Sequence, residues 1–321
     1  MGSARHIASR IARRSSACPA AATCPWHHAL LAVLLCCLAL LGCGGSSAQG
    51  APFAPAQSIR DAVFVREAAI AQNDGYIDAS HTSDGYVSAS ATSEARLKVQ
   101  ITHGEQSYNY DLPSDGTPTV FPLNMGDGDY VIRIMRNTSE NNYVETTSAN
   151  VSVTLASPFE PFLRPNVYCN YSESSACVAK AREIVSDAQN QGEAAQKICA
   201  FIVDNISYDT QKAQSIGNVK GYVPDPDETL ATGRGICFDY AALGCAMLRR
   251  QGIPAQLVTG YVSPGDIYHA WMMVYVDGSW QTASFTVEQN AWSRVDLTFA
   301  AASDATQYVG DGKTYTDRYI Y

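Results

Sequence analysis

The stretch Gly233-Arg234-Gly235-Ile236-Cys237-Phe238-Asp239-Tyr240-Ala241-Ala242 decides how this sequence is interpreted. It predicts a glycine-flanked turn that delivers a cysteine onto the first turn of an apolar helix, which runs to about Arg250. A helix N-terminus presents unpaired N–H groups and the positive end of the helix dipole, and both favour a thiolate over a thiol. Cys237 is therefore a candidate nucleophile, with a buried structural cysteine as the alternative.

A thiolate that transfers acyl groups needs a base and a group that orients the base. His269 is the only histidine after residue 103, so it is the one imidazole available to Cys237 in this part of the chain. Three residues are candidates for the orienting group: Asp277, Ser284 and Asp296. Asp277 falls in a predicted hairpin turn at the far end of the His269 strand, and Ser284, which a simple hairpin register places near His269, cannot stabilise an imidazolium as a carboxylate does. Asp296 is the preferred candidate.

The segments around these residues alternate between helical and strand-like patterns. Two packing helices are predicted from about Ser174 and after Gly192, followed by a loop from 207 to 227. Strands are predicted at Ala255–Val262, Tyr268–Val276, Trp280–Val287 and Trp292–Phe299, with a tight turn at Asp277-Gly278. Four aromatic residues are expected to line a cleft near the cysteine: Tyr222, Tyr261, Tyr268 and Trp271.

The preceding part of the chain, residues 61–157, has short alternating apolar runs broken by turn residues. This pattern predicts an all-β antiparallel sandwich domain. Gly75-Tyr76-Ile77-Asp78-Ala79 and Gly85-Tyr86-Val87-Ser88-Ala89 are near copies, which we interpret as adjacent strands of one sheet. Asp127 and Asp129 are too few to ligate calcium and are assigned to a turn.

The chain from about Pro161 to Tyr321 resembles the transglutaminase-like superfamily, in particular its secreted bacterial members, and the predicted domain comprises residues 158–321. The resemblance is carried by the Gly233–Ala241 stretch, by Met247-Leu248-Arg249-Arg250-Gln251-Gly252-Ile253-Pro254-Ala255 and by His269-Ala270-Trp271. The Trp292–Phe299 segment is similar to the family's Trp-x-x-x-Asp-Pro-Thr block, except that Leu297 replaces the proline.

The resemblance implies an α+β fold, in which a papain-like, transglutaminase-like C-terminal domain follows the sandwich domain. It also implies a catalytic triad in which Cys237 is the nucleophile, His269 the base and Asp296 its orienter. The implied reaction is acyl transfer or hydrolysis at amide bonds of extracellular proteins or peptides through a thioester. Crosslinking, deamidation and proteolysis all remain open, and a noncatalytic cell-surface binding module with a relic triad is the alternative.

The N-terminal residues 1–42 are predicted to be a lipoprotein-type signal peptide. Four arginines and no acidic residue precede the apolar run that ends at Leu41, which is too short for an ordinary transmembrane helix. The run continues into Gly42 and Cys43, which resemble a lipobox, so Cys43 is the expected lipidation site and residues 43–60 the linker. We therefore expect an extracytoplasmic protein that is lipid-anchored to the bacterial cell membrane, with ordinary secretion as the alternative.

Charge restricts the partners of the mature chain. Removal of residues 1–42 leaves 18 basic and 31 acidic side chains, a net charge of −13. Such a surface repels nucleic acid and anionic lipid, so we expect no nucleic-acid partner and membrane attachment through the Cys43 lipid alone. The expected partner is a protein or peptide substrate; the oligomeric state is not predicted.

The remaining cysteines suggest neither a metal site nor a cofactor site. No pair has the Cys-x-x-Cys spacing of a zinc site. Cys169 and Cys177 lie close together in a polar segment and could form a local disulfide in an oxidising compartment. Cys199 and Cys245 fall in apolar helical stretches and are expected to be inert core residues.

Overall fold

The computed structural model describes residues 53–54, 60–216, 221–281, 286–301 and 314–321, without the side chains of residues 280 and 281. The predicted signal peptide, the lipidation site Cys43, most of the 43–60 linker and the alternative triad residue Ser284 lie outside these residues. Among the described residues, no helix has both the length and the apolar composition needed to span a membrane.

Two four-stranded antiparallel sheets form the N-terminal part. Their orders are β1-β2-β3-β6 and β5-β4-β7-β8. The strands are β1 (Ile70–Gln72), β2 (Gly75–Asp78), β3 (Tyr86–Ala91), β4 (Leu97–His103), β5 (Gln106–Leu112), β6 (Thr119–Pro122), β7 (Gly128–Ser139) and β8 (Asn142–Val153). Burial alternates along β4, where Leu97, Val99 and Ile101 are buried, as expected for strands with one face on a core.

The two near-copy segments are neighbours in the first sheet. Strands β2 and β3 pair antiparallel with Ile77 opposite Ala89, which confirms the adjacent-strand prediction. Of the two residues assigned to a turn, Asp127 directly precedes β7 and Asp129 is the second residue of that strand. Asp127 Oδ1 accepts a hydrogen bond from the Leu155 N–H at 2.9 Å.

Six helices are described in the C-terminal part: α1 (Ala176–Ile184), α2 (Gln191–Asn205), α3 (Thr210–Ile216), α4 (Pro226–Thr232), α5 (Cys237–Arg250) and α6 (Leu297–Ala300). The bounds of α5 confirm the predicted cysteine-headed helix, which is buried along nearly its whole length. The predicted loop from 207 to 227 is wrong in part, because it contains the short strand β9 (Ser207–Tyr208), α3 and the start of α4. Strand β9 pairs in parallel with β10 (Arg234–Gly235).

A third four-stranded antiparallel sheet packs against α5, with the order β15-β12-β11-β16. Its strands are β11 (Ala255–Val262), β12 (Ile267–Tyr275), β15 (Trp292–Val295) and β16 (Tyr315–Ile320). Successive residues of β12 face opposite sides of the sheet. Ala270 and Met272 belong to the main core, whereas Trp271 belongs to a separate small cluster.

Two predictions about this sheet are wrong. The segment after the Asp277-Gly278 turn does not return along β12; it forms the short strands β13 (Trp280–Gln281) and β14 (Thr286–Val287), which pair with each other. The partner of β12 is β15, with Met272 opposite Val295. In addition, the strand predicted over Trp292–Phe299 ends at Val295, because Asp296 caps α6 and turns the chain into a helix.

The proposed Cys169–Cys177 disulfide is not formed, since both residues are free, buried cysteines. Local contacts account for their separate positions. The Cys169 thiol lies 3.6 Å from the Ala242 carbonyl oxygen, to which it donates, while the Cys177 N–H at the start of α1 is held by Asp227 Oδ1 at 2.8 Å. Burial raises the pKa of the Cys169 thiol to about 11, so it stays protonated and unreactive.

The N-terminal sheets and the C-terminal part share one hydrophobic core within the compact unit Ser47–Tyr321. Tyr321 packs edge-on against Tyr108 and Tyr168, with ring centroids 5.9 and 4.7 Å away. The Ile320 N–H also donates to the Tyr108 hydroxyl at 3.2 Å. The described part therefore has an α+β fold with a β-rich N-terminal region, as predicted from the sequence; the domain boundaries at 60 and 157 remain predictions.

Replacement of Gly260 by alanine should destabilise the sheet next to His269. A Cβ there would overlap the Thr316 carbonyl oxygen and lie 2.8 Å from Trp271 Cη2, and neither rigid group can yield cheaply. We expect Gly260→Ala to lower the free energy of unfolding by about 2 kcal/mol or more. Urea denaturation measures this change.

Gly244→Ala is the matched control, because the nearest atoms there are the flexible end of Met272, which can move. The gain in helix propensity, about 1 kcal/mol, offsets part of that crowding, so the cost should be smaller than at Gly260. An equal loss of unfolding free energy in Gly260→Ala and Gly244→Ala would contradict the explanation by a clash with rigid groups at Gly260.

Candidate active site

Cys237 is the first residue of α5, and two glycines shape the turn before it. Gly233 ends α4 with a positive φ of 63°, a conformation that favours glycine. Gly235 has room only for hydrogen, because a Cβ would lie 2.7 Å from Asp239 Cβ. The cysteine is half-buried, and its partial exposure allows a substrate to reach it from solution.

Asp239 closes the N-terminal turn of α5 from inside the protein. This carboxylate is fully buried, and its Oδ2 accepts the Ile236 N–H and the Lys212 ammonium, each at 2.8 Å. The Tyr222 hydroxyl donates to its Oδ1. Burial and then the Asp239 carboxylate raise the pKa of Tyr222, which remains a donor at neutral pH. Neither Asp239 nor Lys212 was predicted from the sequence to have a role in the site.

His269 lies on β12, opposite Gly260 of β11, and its side chain is buried. Its Nε2 is 2.7 Å from Asp296 Oδ2. Nδ1 is buried without a hydrogen-bond partner among the described residues. Since Nε2 is engaged by Asp296, Nδ1 is the ring nitrogen left for the Cys237 thiol, which lines the same cleft.

The Asp296 carboxylate is held by four donors. As the N-cap of α6, its Oδ1 accepts the N–H groups of Thr298 at 3.1 Å and Phe299 at 3.2 Å. Its Oδ2 accepts from His269 and also from the Tyr315 hydroxyl at 2.8 Å. Tyr315 was missed in the sequence analysis, because its approach depends on the pairing of β16 with β11 and no local motif marks it.

The charges around His269 favour the protonated imidazole. Burial by itself lowers the pKa of His269, but the thiolate charge of Cys237 and then the Asp296 carboxylate outweigh it and raise the pKa to about 10. The site can therefore hold an imidazolium at neutral pH in the same cleft as the Cys237 thiol, and a positive charge beside a cysteine favours its nucleophilic form.

A cleft of about 420 Å³ opens over these residues, and we call it the Cys237 cleft. Beyond Cys237 and His269, its large lining side chains are Tyr208, Ile216, Tyr222, Phe238 and Tyr268. Of the aromatic residues expected in the cleft, Tyr222 and Tyr268 line it. Tyr261 and Trp271 do not line it. Trp271 is buried in the small cluster, where its ring packs edge-on against Tyr315.

The other candidates for the orienting group do not reach His269 in the described part of the chain. Asp277 follows β12 at its opposite end, where its N–H lies 3.4 Å from Gln191 Oε1. Ser284 is outside the described residues. Cys199 and Cys245 are buried as expected, and burial raises the pKa of Cys199 to about 12.

A larger groove of about 790 Å³ contains carboxylates but neither cysteine nor histidine among the residues described at its walls. Its Asp111 binds Lys98, Asp225 caps α4, and Asp227 accepts the N–H groups of Ala176 and Cys177. Within the described residues, no group of three or more His, Cys, Asp or Glu side chains is arranged to hold a metal ion.

Comparison with known proteins supports the C-terminal fold. Residues 178–296 match the family model described as the transglutaminase-like superfamily, a range that includes Cys237, His269 and Asp296. A curated relative, the UPF0252 protein of Archaeoglobus fulgidus, is 28% identical over 101 residues. That match covers 27% of this chain and 32% of the relative, so the chain spans about a third of the relative's length.

Two solved structures are also similar. A proposed cysteine protease from Cytophaga hutchinsonii has 18% identity and a TM-score of 0.38, with 72% of this chain and 73% of that chain covered. Red sea bream transglutaminase has 11% identity and a TM-score of 0.31, with 76% and 50% covered. Because both TM-scores are low, the assignment depends on the family match: residues 178–296 carry a domain of the transglutaminase-like superfamily.

Proposed function

We propose that this protein is a cysteine enzyme that acts on amide bonds of proteins or peptides through a thioester on Cys237. One observation carries the proposal. A buried imidazole, held by Asp296 Oδ2 at 2.7 Å, lines the same cleft as a half-buried cysteine at a helix N-terminus. This is the arrangement of nucleophile, base and orienting carboxylate that thiol acyl transfer requires.

In the first half of the reaction, the Cys237 thiolate attacks the carbonyl carbon of the bound amide. The carbonyl π electrons move onto oxygen, and the Cys237 N–H at the start of α5 is the donor placed to stabilise that oxyanion. As the oxyanion collapses, the C–N bond breaks and His269 gives its proton to the leaving nitrogen. The products are a thioester on Cys237 and a free amine or ammonia.

In the second half, neutral His269 takes a proton from the acceptor as that acceptor attacks the thioester. A lysine amine gives a crosslink, whereas water gives deamidation or proteolysis. Collapse of the second tetrahedral species breaks the C–S bond and returns the thiolate and imidazolium. Asp296 keeps Nε2 protonated and the ring in place throughout, which leaves Nδ1 as the atom that exchanges the proton.

For the setting of this reaction, we propose a lipid anchor at Cys43 and an extracytoplasmic location. The support is the apolar run before Gly42-Cys43, the Gly-Gly-Ser-Ser sequence after it and the acidic mature chain. The proposed partners are the membrane, through the lipid, and a protein or peptide substrate.

Loss of the Cys237 thiol should abolish the reaction. We expect Cys237→Ala to remove both incorporation of a fluorescent amine into a glutamine-containing protein and cleavage of peptides, each to background. The wild-type ratio of these two signals identifies the acceptor. Cys199→Ala, which removes a buried thiol elsewhere, is the control and should retain activity. Absence of both signals from the wild type would favour the noncatalytic binding module.

In the Cys237→Ala variant, the pKa of His269 should be lower than in the wild type. The Cys237 thiolate makes the largest of the contributions that raise the pKa of His269 to about 10. Without this thiolate, less negative charge opposes burial, which lowers the pKa. A titration of ¹³C-labelled histidine by NMR measures the change, with His81 and His103 as internal references. In the wild type, the imidazolium persists through neutral pH, and catalysis should fall as pH rises through about 10, because the proton donor is lost. An unchanged His269 titration in Cys237→Ala would show that the thiol and imidazole do not interact.

Tyr315→Phe should impair the positioning of Asp296. The variant removes one donor to Oδ2, and a hydrogen bond to a charged group contributes about 1.5–3 kcal/mol, so we expect kcat to fall about 10-fold or more. KM should change little, since Tyr315 does not line the cleft. Steady-state kinetics separates the two constants. Tyr261→Phe removes a hydroxyl that pairs with Arg318 instead and serves as the control; an equal loss of kcat in both variants would exclude a specific role for Tyr315.

A further inference from the structure

The described residues that line the Cys237 cleft include no charged side chain other than the reacting pair, Cys237 and His269. Apart from Cys237 and His269, every described residue that lines it is apolar, aromatic or, in Thr259, a hydroxyl. The Lys212 ammonium, which lies 4.9 Å from the centroid of the Tyr222 ring, is paired at 2.8 Å with the fully buried Asp239 carboxylate. A substrate in the cleft therefore meets ring and alkyl surface beside the reacting thiol.

The hydroxyls of two tyrosines that line the cleft, Tyr222 and Tyr268, already have protein partners. Tyr222 donates to Asp239, and Tyr268 donates to Thr259 Oγ1 at 2.8 Å. The Tyr222 ring also packs edge-on against Phe238, with centroids 6.3 Å apart. These bonds fix the rings in advance, so a ligand gains contact area without first ordering the side chains.

The apolar surface is accessible in the free protein. Tyr268 is 50% exposed, and Tyr222 and Phe238 are half-buried. An apolar substrate side chain placed there removes this surface from water, which favours binding. A charged side chain in the same place loses its hydration and, beyond the reacting pair itself, finds no opposite charge among the described residues of the cleft walls.

We propose that the Cys237 cleft selects amide substrates in which an apolar or aromatic side chain flanks the reacting carbonyl, and that it discriminates against a charged one. This substrate class rests on the proposed thiol chemistry and refines it. The cleft volume of about 420 Å³ accommodates a large side chain together with the adjoining backbone.

Peptidyl chloromethyl ketones test the selection without requiring turnover. In this reaction the Cys237 thiolate displaces chloride and forms a thioether, and the rate reports how well the flanking residue fits. We expect probes ending in Phe or Leu to modify Cys237 at least 10-fold faster than matched probes ending in Asp or Lys. Mass spectrometry of the modified peptide gives the rate at Cys237, and iodoacetamide, which has no flanking side chain, gives its intrinsic reactivity.

Tyr268→Ala should reduce the Phe-to-Asp rate ratio several-fold, with each peptidyl rate divided by the iodoacetamide rate of the same variant. This residue is half exposed, so its truncation leaves the core intact. Tyr76→Ala, in β2 of the N-terminal sheet, is the matched control and should alter neither rate.

The outcomes separate this proposal from the proposed function. If iodoacetamide modifies Cys237 no faster than Cys199 or Cys245, the reactive-thiol function itself fails. If iodoacetamide selects Cys237 but the Asp or Lys probe matches or exceeds the Phe probe, or no peptidyl probe reacts, the thiol chemistry stands and the selection is overturned. A preference for Asp would implicate Arg318, the cation beside Tyr261 near Tyr268.

Discussion

The buried carboxylate of Asp296 is the interaction on which the candidate site depends. It accepts bonds from His269, from Tyr315 and from two N–H groups of α6, so it joins strand β12, strand β16 and the end of β15 at one point. A buried carboxylate is costly unless donors surround it, and here each oxygen has two. The same bonds that satisfy the charge orient the imidazole, so stability and chemistry impose one geometry on this part of the sheet.

Asp239 is a second buried carboxylate, and it holds the start of the helix that carries Cys237. Asp239 ties the first turn of α5 to Lys212 of α3 and to Tyr222, and both of these contacts come from the segment that forms one wall of the cleft. The position of the nucleophile and the shape of its cleft are thus coupled through a single side chain. Gly235 is required beside it, because any side chain there would displace Asp239.

Much of the candidate site could be predicted from local sequence. The bounds of α5, the strand β11 and the position of His269 on a strand all follow from patterns within about fifteen residues: a glycine turn, helical periodicity and strand alternation. Asp296 was preferred from its carboxylate chemistry and from the Trp292–Phe299 resemblance, and the structure places it against His269. The pairing of β12 with β15 was not predictable in this way, because strand registry over twenty residues has no local signature. The helical turn that begins after Asp296 was also not predicted.

The sequence by itself determined which residue types were available for the chemistry: one cysteine at the head of a helix, one histidine after residue 103 and a small set of carboxylates. Only the tertiary structure decided which of these groups meet and in what charge state. Tyr315, Lys212 and the free thiols of Cys169 and Cys177 illustrate the difference, since each depends on contacts between segments far apart in the chain or on burial in the assembled core. Local propensities specify helices and strands, whereas the environment that raises the pKa of His269 arises only when β12, α5 and the Asp296 cap are packed together.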